Sequence, residues 1–404
     1  MPKKPKKPTK TTELRGVWVS HDSIDTFVGR IGMIEKIKAA RLNTVFLDMP
    51  PIGSNYGAGE MTSFVDFLQD VKVAGLVAFG WISNHKRTFP EPADLRLPEE
   101  REAQVQWVED ILAGFPCLDG IAIDYIRYPT WEPSDKEKQE GVSLTVKAIR
   151  EVTDRASAAL LTTSFPAATV TYRGVEPLWE GDVPAWYREW FDANPNNYFL
   201  REAATGGTGL VNRMNLEEAD PASLLGPSFM SYQQDPVTWL GNYFVDHVVP
   251  MQYTSDPIVM RNDIDLWVSW TTWVGRPMSC INLGLGWFDE PTSFPDSQLD
   301  AAAMVDHIAY GRSKGIGGYT VFRLGVPGVD DTPLVEALTV PNADNKMKPP
   351  NPKDAASPFV NFNLKCGREI PQFQSAGRQA SLDSGPFWIM AVLLVYFLRG
   401  ILLQ

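Results

Sequence analysis

Cysteine is scarce in this chain of 404 residues, with three in all and none in the CxxC spacing of a zinc or redox motif. So few thiols exclude a disulfide-rich framework and a cysteine-based zinc site. Cys117 and Cys280 lie in apolar segments, which predicts buried, unreactive thiols. The four histidines show neither HxH nor HExxH spacing, so we expect no metal site and no cofactor.

Positive charge is also in short supply. The chain has 37 Lys and Arg against 49 Asp and Glu, which gives a formal net charge of −12 at pH 7. An acidic surface repels phosphate backbones, so nucleic acid is excluded as the main partner. The start of the chain, MPKKPKKPTK, is the exception. Because a Lys/Pro sequence cannot bury apolar surface, residues 1–12 are predicted to form a disordered basic tail.

Nucleotide-binding motifs and a leader segment are absent as well. We find no Walker sequence and no dinucleotide fingerprint, and no apolar run follows the first lysines, so a signal peptide is not expected. A long apolar stretch occurs only at residues 386–404, near the minimum length of a membrane span. We therefore expect membrane contact there, with a helix buried in an oligomer or a virus particle as the alternative.

What the chain does contain is a regular alternation of short apolar runs and helical segments over residues 13–340. This alternation predicts a parallel sheet with right-handed crossovers, and eight such units match a (β/α)8 TIM barrel. The predicted strands are 15–20, 43–49, 76–83, 119–126, 160–166, 247–253, 278–287 and 317–324. The predicted helices include 28–41, 60–74, 97–114, 136–158, 297–314 and 332–339.

Two regions depart from this pattern. Residues 167–246 make the crossover after strand five too long, and they are predicted to form an elaborated loop along one wall of a cleft. The Pro-, Asn- and Lys-rich sequence that begins at Pro341 predicts a linker or irregular segment over 341–385. The apolar residues 386–404 complete the expected domain order.

Strand four carries the most informative candidate for chemistry. Functional groups of a TIM barrel lie at the C-terminal ends of its strands. Gly120, Ala122 and Asp124 share one face, so two small residues leave room for a carboxylate in the barrel mouth. A buried carboxylate is costly unless it is paired, and Tyr125 and Arg127 are its predicted partners. Asp124 is the leading catalytic candidate, and an Asp–Arg pair that only stabilises the rim is the alternative.

Hydrolysis of a glycosidic bond usually requires a second carboxyl group. Asp48 after strand two and Glu290 after strand seven are the main candidates. Asp22, Glu176, Glu180, Asp256 and Asp289 stay open as further candidates, and so does the choice between retaining and inverting chemistry. Aromatic rings stack on the apolar faces of sugars, and polar groups nearby fix their orientation. The predicted substrate-binding residues are His21, Trp81, His85, Tyr125, Arg127, Gln252, Tyr253 and Trp287.

Several of these segments resemble the glycosyl-hydrolase-like TIM barrels found in bacterial envelope and lipoprotein sequences. The similarity covers roughly residues 13–340 and rests on RGVWVS, LNTVFLDM, DGIAIDYIRYP, DPVTWLGNYFVDHVVPMQY and GIGGYTVFRLG. It implies a barrel that binds or hydrolyses a polysaccharide, with Asp124 as the best catalytic candidate. It also aligns Asp235 and Trp239 with the segment before strand six, and Gln252 and Tyr253 with the end of that strand.

Two functions of different classes follow from these observations. The first is a glycoside hydrolase in which Asp124 is the general acid or the nucleophile. The alternative is a non-catalytic carbohydrate-binding or structural barrel, for example a component of a phage particle. A second carboxylate within roughly 5–10 Å of Asp124 favours the hydrolase, because that range covers both glycosidase geometries. A hydrolase for another substrate would need a nucleophile or a metal that the sequence does not show.

Overall fold

The predicted TIM barrel is confirmed. The computed structural model describes residues 13–19, 23–49, 58–83, 93–128, 136–164, 234–253, 255–287, 300–326 and 328–339. Within these ranges eight parallel strands close into a barrel in sequence order, and helices occupy the connections between them. The first strand pairs with the last through Leu14 and Gly318, which closes the sheet.

The strands and the six predicted helices lie within a few residues of their predicted positions. The strands are β1 Leu14–Val19, β2 Thr44–Asp48, β3 Val77–Ser83, β4 Gly120–Asp124, β5 Ala159–Ser164, β6 His247–Gln252, β7 Asn282–Gly286 and β8 Gly318–Phe322. The helices are α1 Phe27–Ala39, α2 Ala58–Val73, α3 Pro98–Gly114, α4 Lys136–Ala156, α5 Pro236–Gly241, α6 Pro257–Trp273, α7 Ala301–Ser313 and α8 Thr332–Thr339. Of these, α5 and α6 are two further helices that were not among those predicted from the sequence. A short 3-10 turn, Met278–Cys280, precedes β7.

Four predicted regions lie wholly or mostly outside the described residues. They are the basic tail 1–12, the long loop 167–246 up to residue 233, the linker 341–385 and the apolar segment 386–404. The predictions for them, including the membrane contact, stay predictions. Across the described ranges, the structure contains no helix that is both long and apolar enough to cross a membrane.

Side chains alternate along each strand between the barrel interior and the layer of helices outside. The interior cluster is mostly aromatic on β1, β2 and β3 and small on β4. It consists of Leu14, Trp18, Phe46, Val77, Phe79, Trp81, Ala122, Leu161 and Val249. Gly120 lacks a side chain where the Phe79 ring fills the barrel, because a Cβ atom at this position would overlap that ring. The small residues of β4 thus make room for large ones of β3.

Local sequence sets where several helices begin. Thr26 precedes α1 and accepts a hydrogen bond from the backbone N–H of Gly29 at 3.0 Å. Asp235 does the same for α5, with the N–H of Thr238 at 3.1 Å. Such capping satisfies N–H groups that have no partner inside the helix.

Ion pairs close the N-terminal end of the barrel, which we call the base. Lys72 from the end of α2 contacts Asp119, just before β4, at 2.7 Å, and both side chains are buried. Burial raises the pKa of the Asp119 carboxyl, against the opposing hydrogen bond from Lys72. Arg312 pairs with Glu13 at 2.6 Å, and both side chains are partly buried. Such pairs at this end serve stability in this fold, because functional groups lie at the opposite end.

One of the two cysteine predictions is wrong. Cys280 is buried and free, as expected, and burial raises the pKa of its thiol. Cys117 is also buried, but it is disulfide-bonded. The spacing of cysteines along the chain does not show which sulfur atoms meet in space, and this is why the sequence did not predict the bond.

Candidate active site

Asp124 ends β4 at the C-terminal opening of the barrel, which we call the mouth, and its side chain is buried. The hydroxyl of Thr163 donates to Oδ1 at 2.6 Å, and the backbone N–H of Tyr125 donates to the same oxygen at 2.8 Å. The indole Nε1–H of Trp81 donates to Oδ2 at 3.1 Å. This arrangement suits an ionised carboxylate, which accepts hydrogen bonds at both oxygens and donates none.

Arg127 lies against Tyr125 rather than against Asp124. Its guanidinium carbon is 4.1 Å from the centroid of the Tyr125 ring. Tyr125 has a φ of 50°, in the left-handed region, so the chain turns sharply at the rim directly after Asp124. Among the described residues, no cation forms an ion pair with the Asp124 carboxylate. Instead of the predicted ion pair with Asp124, Arg127 therefore forms a cation–π contact with Tyr125.

Aromatic side chains line the mouth around this carboxylate. Trp81 meets Trp18 edge to face with ring centroids 5.1 Å apart, and it meets Phe322 in the same manner at 5.9 Å. Phe322 in turn stacks against Tyr253 with centroids 6.0 Å apart. The rings come from β1, β3 and β8 and from the residue after β6, so they surround the opening. Such a lining suits the apolar faces of sugar rings.

Tyr253 lies close enough to Asp124 for the two side chains to influence each other. Burial raises the pKa of the Tyr253 hydroxyl well above its ordinary value, and the negative charge of Asp124 raises it further. The positive charge of Arg127 opposes this shift. Tyr253 is therefore a neutral phenol at neutral pH, and its hydroxyl can donate a hydrogen bond.

Asp48 supplies a second carboxylate at the mouth. It ends β2 on the same inner face as Phe46, and its side chain is half-buried. In the sheet register Asp48 pairs with Trp81, and Asp124 pairs with Ser83, two residues further along β3. Among the described strand residues, Asp48 and Asp124 are the two carboxylates on the inner face at this end. The hydroxyl of Ser83 between them is buried without a hydrogen-bond partner in the described structure.

Two predicted binding residues do not join this cluster. Gln252 is the last residue of β6 and therefore faces the side opposite to Tyr253, which follows it. Its amide is buried there without a hydrogen-bond partner among the described residues. Trp287 packs in the layer between strands and helices, and its indole donates to Asp331 at 3.2 Å. Both side chains belong to the wall of the barrel rather than to the lining of its mouth.

Several other candidates cannot be placed. His21, Asp22, His85, Glu176, Glu180, Asp289 and Glu290 lie outside the described residues. The predictions for them stay predictions. Asp256 is described, and it accepts a hydrogen bond from the backbone N–H of Ile258 at 2.7 Å in the first turn of α6. This contact gives Asp256 a role at the start of a helix.

Sequence reasoning missed three residues of the mouth. Thr163 donates the shortest hydrogen bond to Asp124, while Trp18 and Phe322 complete the aromatic lining. The signal was available, because strict alternation along β1, β5 and β8 places all three on the inner face. Thr163 in particular lies two residues beyond Leu161, which packs in the barrel interior. Within the described ranges, no group of three or more His, Cys, Asp or Glu side chains could hold a metal ion.

The fold defines a class to which known glycoside hydrolases also belong. No protein-family model and no curated protein sequence matches this chain. Among solved structures, an endo-1,4-β-D-mannanase from Thermotoga petrophila RKU-1 is similar, with a TM-score of 0.52 at 12% identity over 81% of this chain and 98% of that one. A second T. petrophila endo-β-1,4-mannanase structure gives 0.51 at 11% identity, over 88% of this chain and 79% of the other.

The spore cortex-lytic enzyme SleL from Bacillus megaterium is also similar, with a TM-score of 0.48 at 9% identity over 85% of this chain and 76% of that one. At 12% and 11% identity, the two mannanase structures show a shared fold and nothing finer. The resemblance to glycosyl-hydrolase-like TIM barrels is thus confirmed at the level of the fold.

Proposed function

We propose that this protein hydrolyses glycosidic bonds in a polysaccharide and that Asp124 acts as an anion in the reaction. The observation that carries the proposal is the setting of this carboxylate. It is buried in an aromatic mouth, it accepts three hydrogen bonds from neutral donors, and no described cation neutralises it. An anion there would stabilise the positive charge that develops on the sugar, attack the sugar, or activate a water molecule.

The second carboxylate of the proposed reaction is Asp48, which would act as the proton donor. Neighbouring strands lie about 4.8 Å apart and residues advance about 3.3 Å along a strand. Asp48 and Asp124 are separated by two strand spacings and an offset of two residues. Their Cα atoms are therefore roughly 12 Å apart. With both side chains directed inward, this spacing favours the wider carboxyl separation of inverting enzymes, about 6.5–9.5 Å, over the retaining one.

The aromatic rings and Tyr253 would hold the sugar against the two carboxylates. Trp81 has a double role in this scheme, because its ring lines the mouth while its N–H orients Asp124. The neutral Tyr253 phenol would donate a hydrogen bond to a sugar hydroxyl close to the cleaved bond. Burial of these polar groups among aromatic rings strengthens each interaction by excluding water.

The test is the release of reducing ends from a panel of bacterial envelope and plant cell-wall polysaccharides. Wild type is compared with Asp124→Asn and with the control Asp110→Asn, which changes an exposed carboxylate on α3. We expect Asp124→Asn to lower the rate by roughly 10²–10⁴-fold and the control to leave it unchanged. Glycan binding without release by wild type, unaffected by Asp124→Asn, would instead support the carbohydrate-binding barrel.

The spacing argument has a test of its own. The anomeric configuration of the first product is followed by NMR as the reaction starts. Inversion agrees with Asp48 and Asp124 as the pair, and Asp48→Asn should then abolish release. Retention would show that a carboxylate closer than Asp48 assists Asp124.

A further inference from the structure

Arg323 follows β8 at the mouth of the barrel, and its side chain is half-buried. The guanidinium carbon lies 5.9 Å from the centroid of the Phe322 ring. Apart from this cation–π contact, the guanidinium has no hydrogen bond and no ion pair with any described residue. A guanidinium carries five N–H donors, so most of the hydrogen-bonding capacity of Arg323 is unused in the protein alone.

Four other arginines whose side chains are largely buried form ion pairs with carboxylates. They are Arg15 with Glu13, Arg30 with Asp66 and Asp70, Arg150 with Asp154 and Asp246, and Arg312 with Glu13. A chain with 49 acidic residues has many acids available as partners. Arg323 differs from these four, because its half-buried guanidinium has no acidic partner among the described residues and its donors are available to an anionic ligand.

The surroundings of Arg323 connect it to the proposed site of cleavage. The Phe322 ring beneath its guanidinium contacts both Tyr253 and Trp81. Trp81 donates to Asp124, so two side chains separate Arg323 from the catalytic carboxylate. Arg127, close enough to Tyr253 to affect its pKa, adds a second positive charge to the same opening. A sugar that lies on Phe322 and Tyr253 would therefore bring its substituents to Arg323.

We infer that the polysaccharide is anionic and that Arg323 binds the negative group of a sugar next to the cleaved bond. This inference rests on the proposed hydrolase function and adds the class of its substrate. A planar guanidinium matches carboxylate, sulfate and phosphate groups through paired hydrogen bonds. The net charge of −12 repels polyanions elsewhere on the protein, so binding of an acidic glycan depends on this local positive charge.

The test compares charged glycans with uncharged forms that have the same linkages. The three pairs are polygalacturonate and hyaluronate, each with its carboxyl-reduced form, and dextran sulfate with dextran. Dissociation constants are measured by affinity electrophoresis for the full chain at physiological ionic strength. The variants are Arg323→Gln, Arg323→Lys and the control Arg261→Gln. Arg261 is a control of the same kind because its guanidinium also lies over an aromatic ring, 5.3 Å from the centroid of Tyr310, but in the layer of outer helices.

In at least one pair we expect wild type to bind the charged member roughly ten-fold or more tightly than the neutral one, since hydrogen bonds between charged groups are the strong ones. Arg323→Gln should abolish this preference, Arg261→Gln should keep it, and Arg323→Lys should retain part of it. The basic tail is present in every variant, so it cannot produce the difference. Equal binding within all three pairs, or a preference that Arg323→Gln leaves intact, overturns the inference.

The two proposals fail in different ways. If wild type releases reducing ends but the charge preference does not depend on Arg323, the hydrolase stands and the anionic substrate does not. If the preference depends on Arg323 but no glycan is cleaved, the anion site stands and the hydrolase does not. Circular dichroism of Arg323→Gln checks that the variant is folded, and Arg323→Lys tests the site with the charge retained.

Discussion

The two ends of this barrel differ in whether their charged side chains form ion pairs. At the base, Asp119 is paired with Lys72 and Glu13 with Arg312. At the mouth, Asp124 is held by a hydroxyl, an indole and a backbone N–H, and Arg323 lies on an aromatic ring with no acidic partner among the described residues. Within the described part of the chain, the same sheet thus carries neutralised charges at one end and charges without a counter-ion at the other.

This difference indicates that the base of the barrel serves stability and the mouth serves function. A buried charge whose partner is removed destabilises a protein, so the pairs of the base hold the strands and helices together. Charges without partners contribute little to folding, but they are available to a substrate. Because both ends are built from the ends of the same eight strands, mutations at each end can be compared in one background.

Removal of Lys72 should give the largest change in stability at the base. Lys72→Met leaves the buried Asp119 carboxylate without its cation, and we expect a loss of about 3–5 kcal/mol in the free energy of unfolding. The measurement is urea denaturation at pH 7, with the exposed Lys147→Met as control. Activity per folded molecule should not change. A loss below about 1 kcal/mol would show that the base does not depend on this pair.

Buried histidines should make stability depend on pH between 6.5 and 4. Burial lowers the pKa of His247 and of His307 to about 4. Below pH 6.5 the two histidines of the unfolded chain take up protons that they do not bind in the folded chain. Their contribution to the free energy of unfolding is therefore fully present above pH 6.5 and is lost as the pH falls toward 4. Each histidine contributes about 3 kcal/mol to this loss.

Denaturation curves at pH 7.5, 6.5, 5.5 and 5.0 measure the effect. In His307→Gln, which cannot titrate, the slope of stability against pH should be about half that of wild type. The nitrogen Nδ1 of His247 is 2.8 Å from the amide nitrogen of Asn282 and accepts its hydrogen bond, which a proton on that nitrogen would break. An unchanged slope in His307→Gln would contradict the assignment.

At the mouth, removal of one hydrogen bond to Asp124 should give a smaller effect. Trp81→Phe keeps an aromatic ring but deletes the N–H that donates to Asp124. We expect a rate roughly 10–100-fold lower, from the loss of about 1.5–3 kcal/mol. Trp267→Phe is the control, since the indole N–H of Trp267 is buried without a partner in the described structure.

The strands and the leading catalytic residue could be predicted from the sequence because both depend on local pattern. β-branched runs at regular spacing predicted β1 to β8, and Gly120, Ala122 and Asp124 were correctly placed on one inner face. The rule that strand ends carry function then selected Asp124 and Trp81, which the structure joins by a hydrogen bond.

Side-chain contacts between strands could not be predicted in the same way. Thr163 reaches Asp124 only because β4 and β5 are neighbours in register, and the sequence offers several other hydroxyl groups. Gln252 was expected in the mouth because it ends β6, but a shift of one residue reverses the face to which a side chain points. The stacking of Arg127 on Tyr125 follows from the turn at Tyr125, whose φ the sequence does not reveal.

The most direct test of the account changes one carboxylate at each end and measures two properties of both variants. In Asp124→Asn we expect activity to fall at least 100-fold, while the free energy of unfolding changes by at most about 1 kcal/mol. In Asp119→Asn we expect full activity per folded molecule and a loss of about 3–5 kcal/mol, because the Lys72 ammonium is left buried without its anion. If Asp124→Asn instead destabilises the fold as much as Asp119→Asn and keeps its activity, Asp124 is a structural residue and the two ends do not differ.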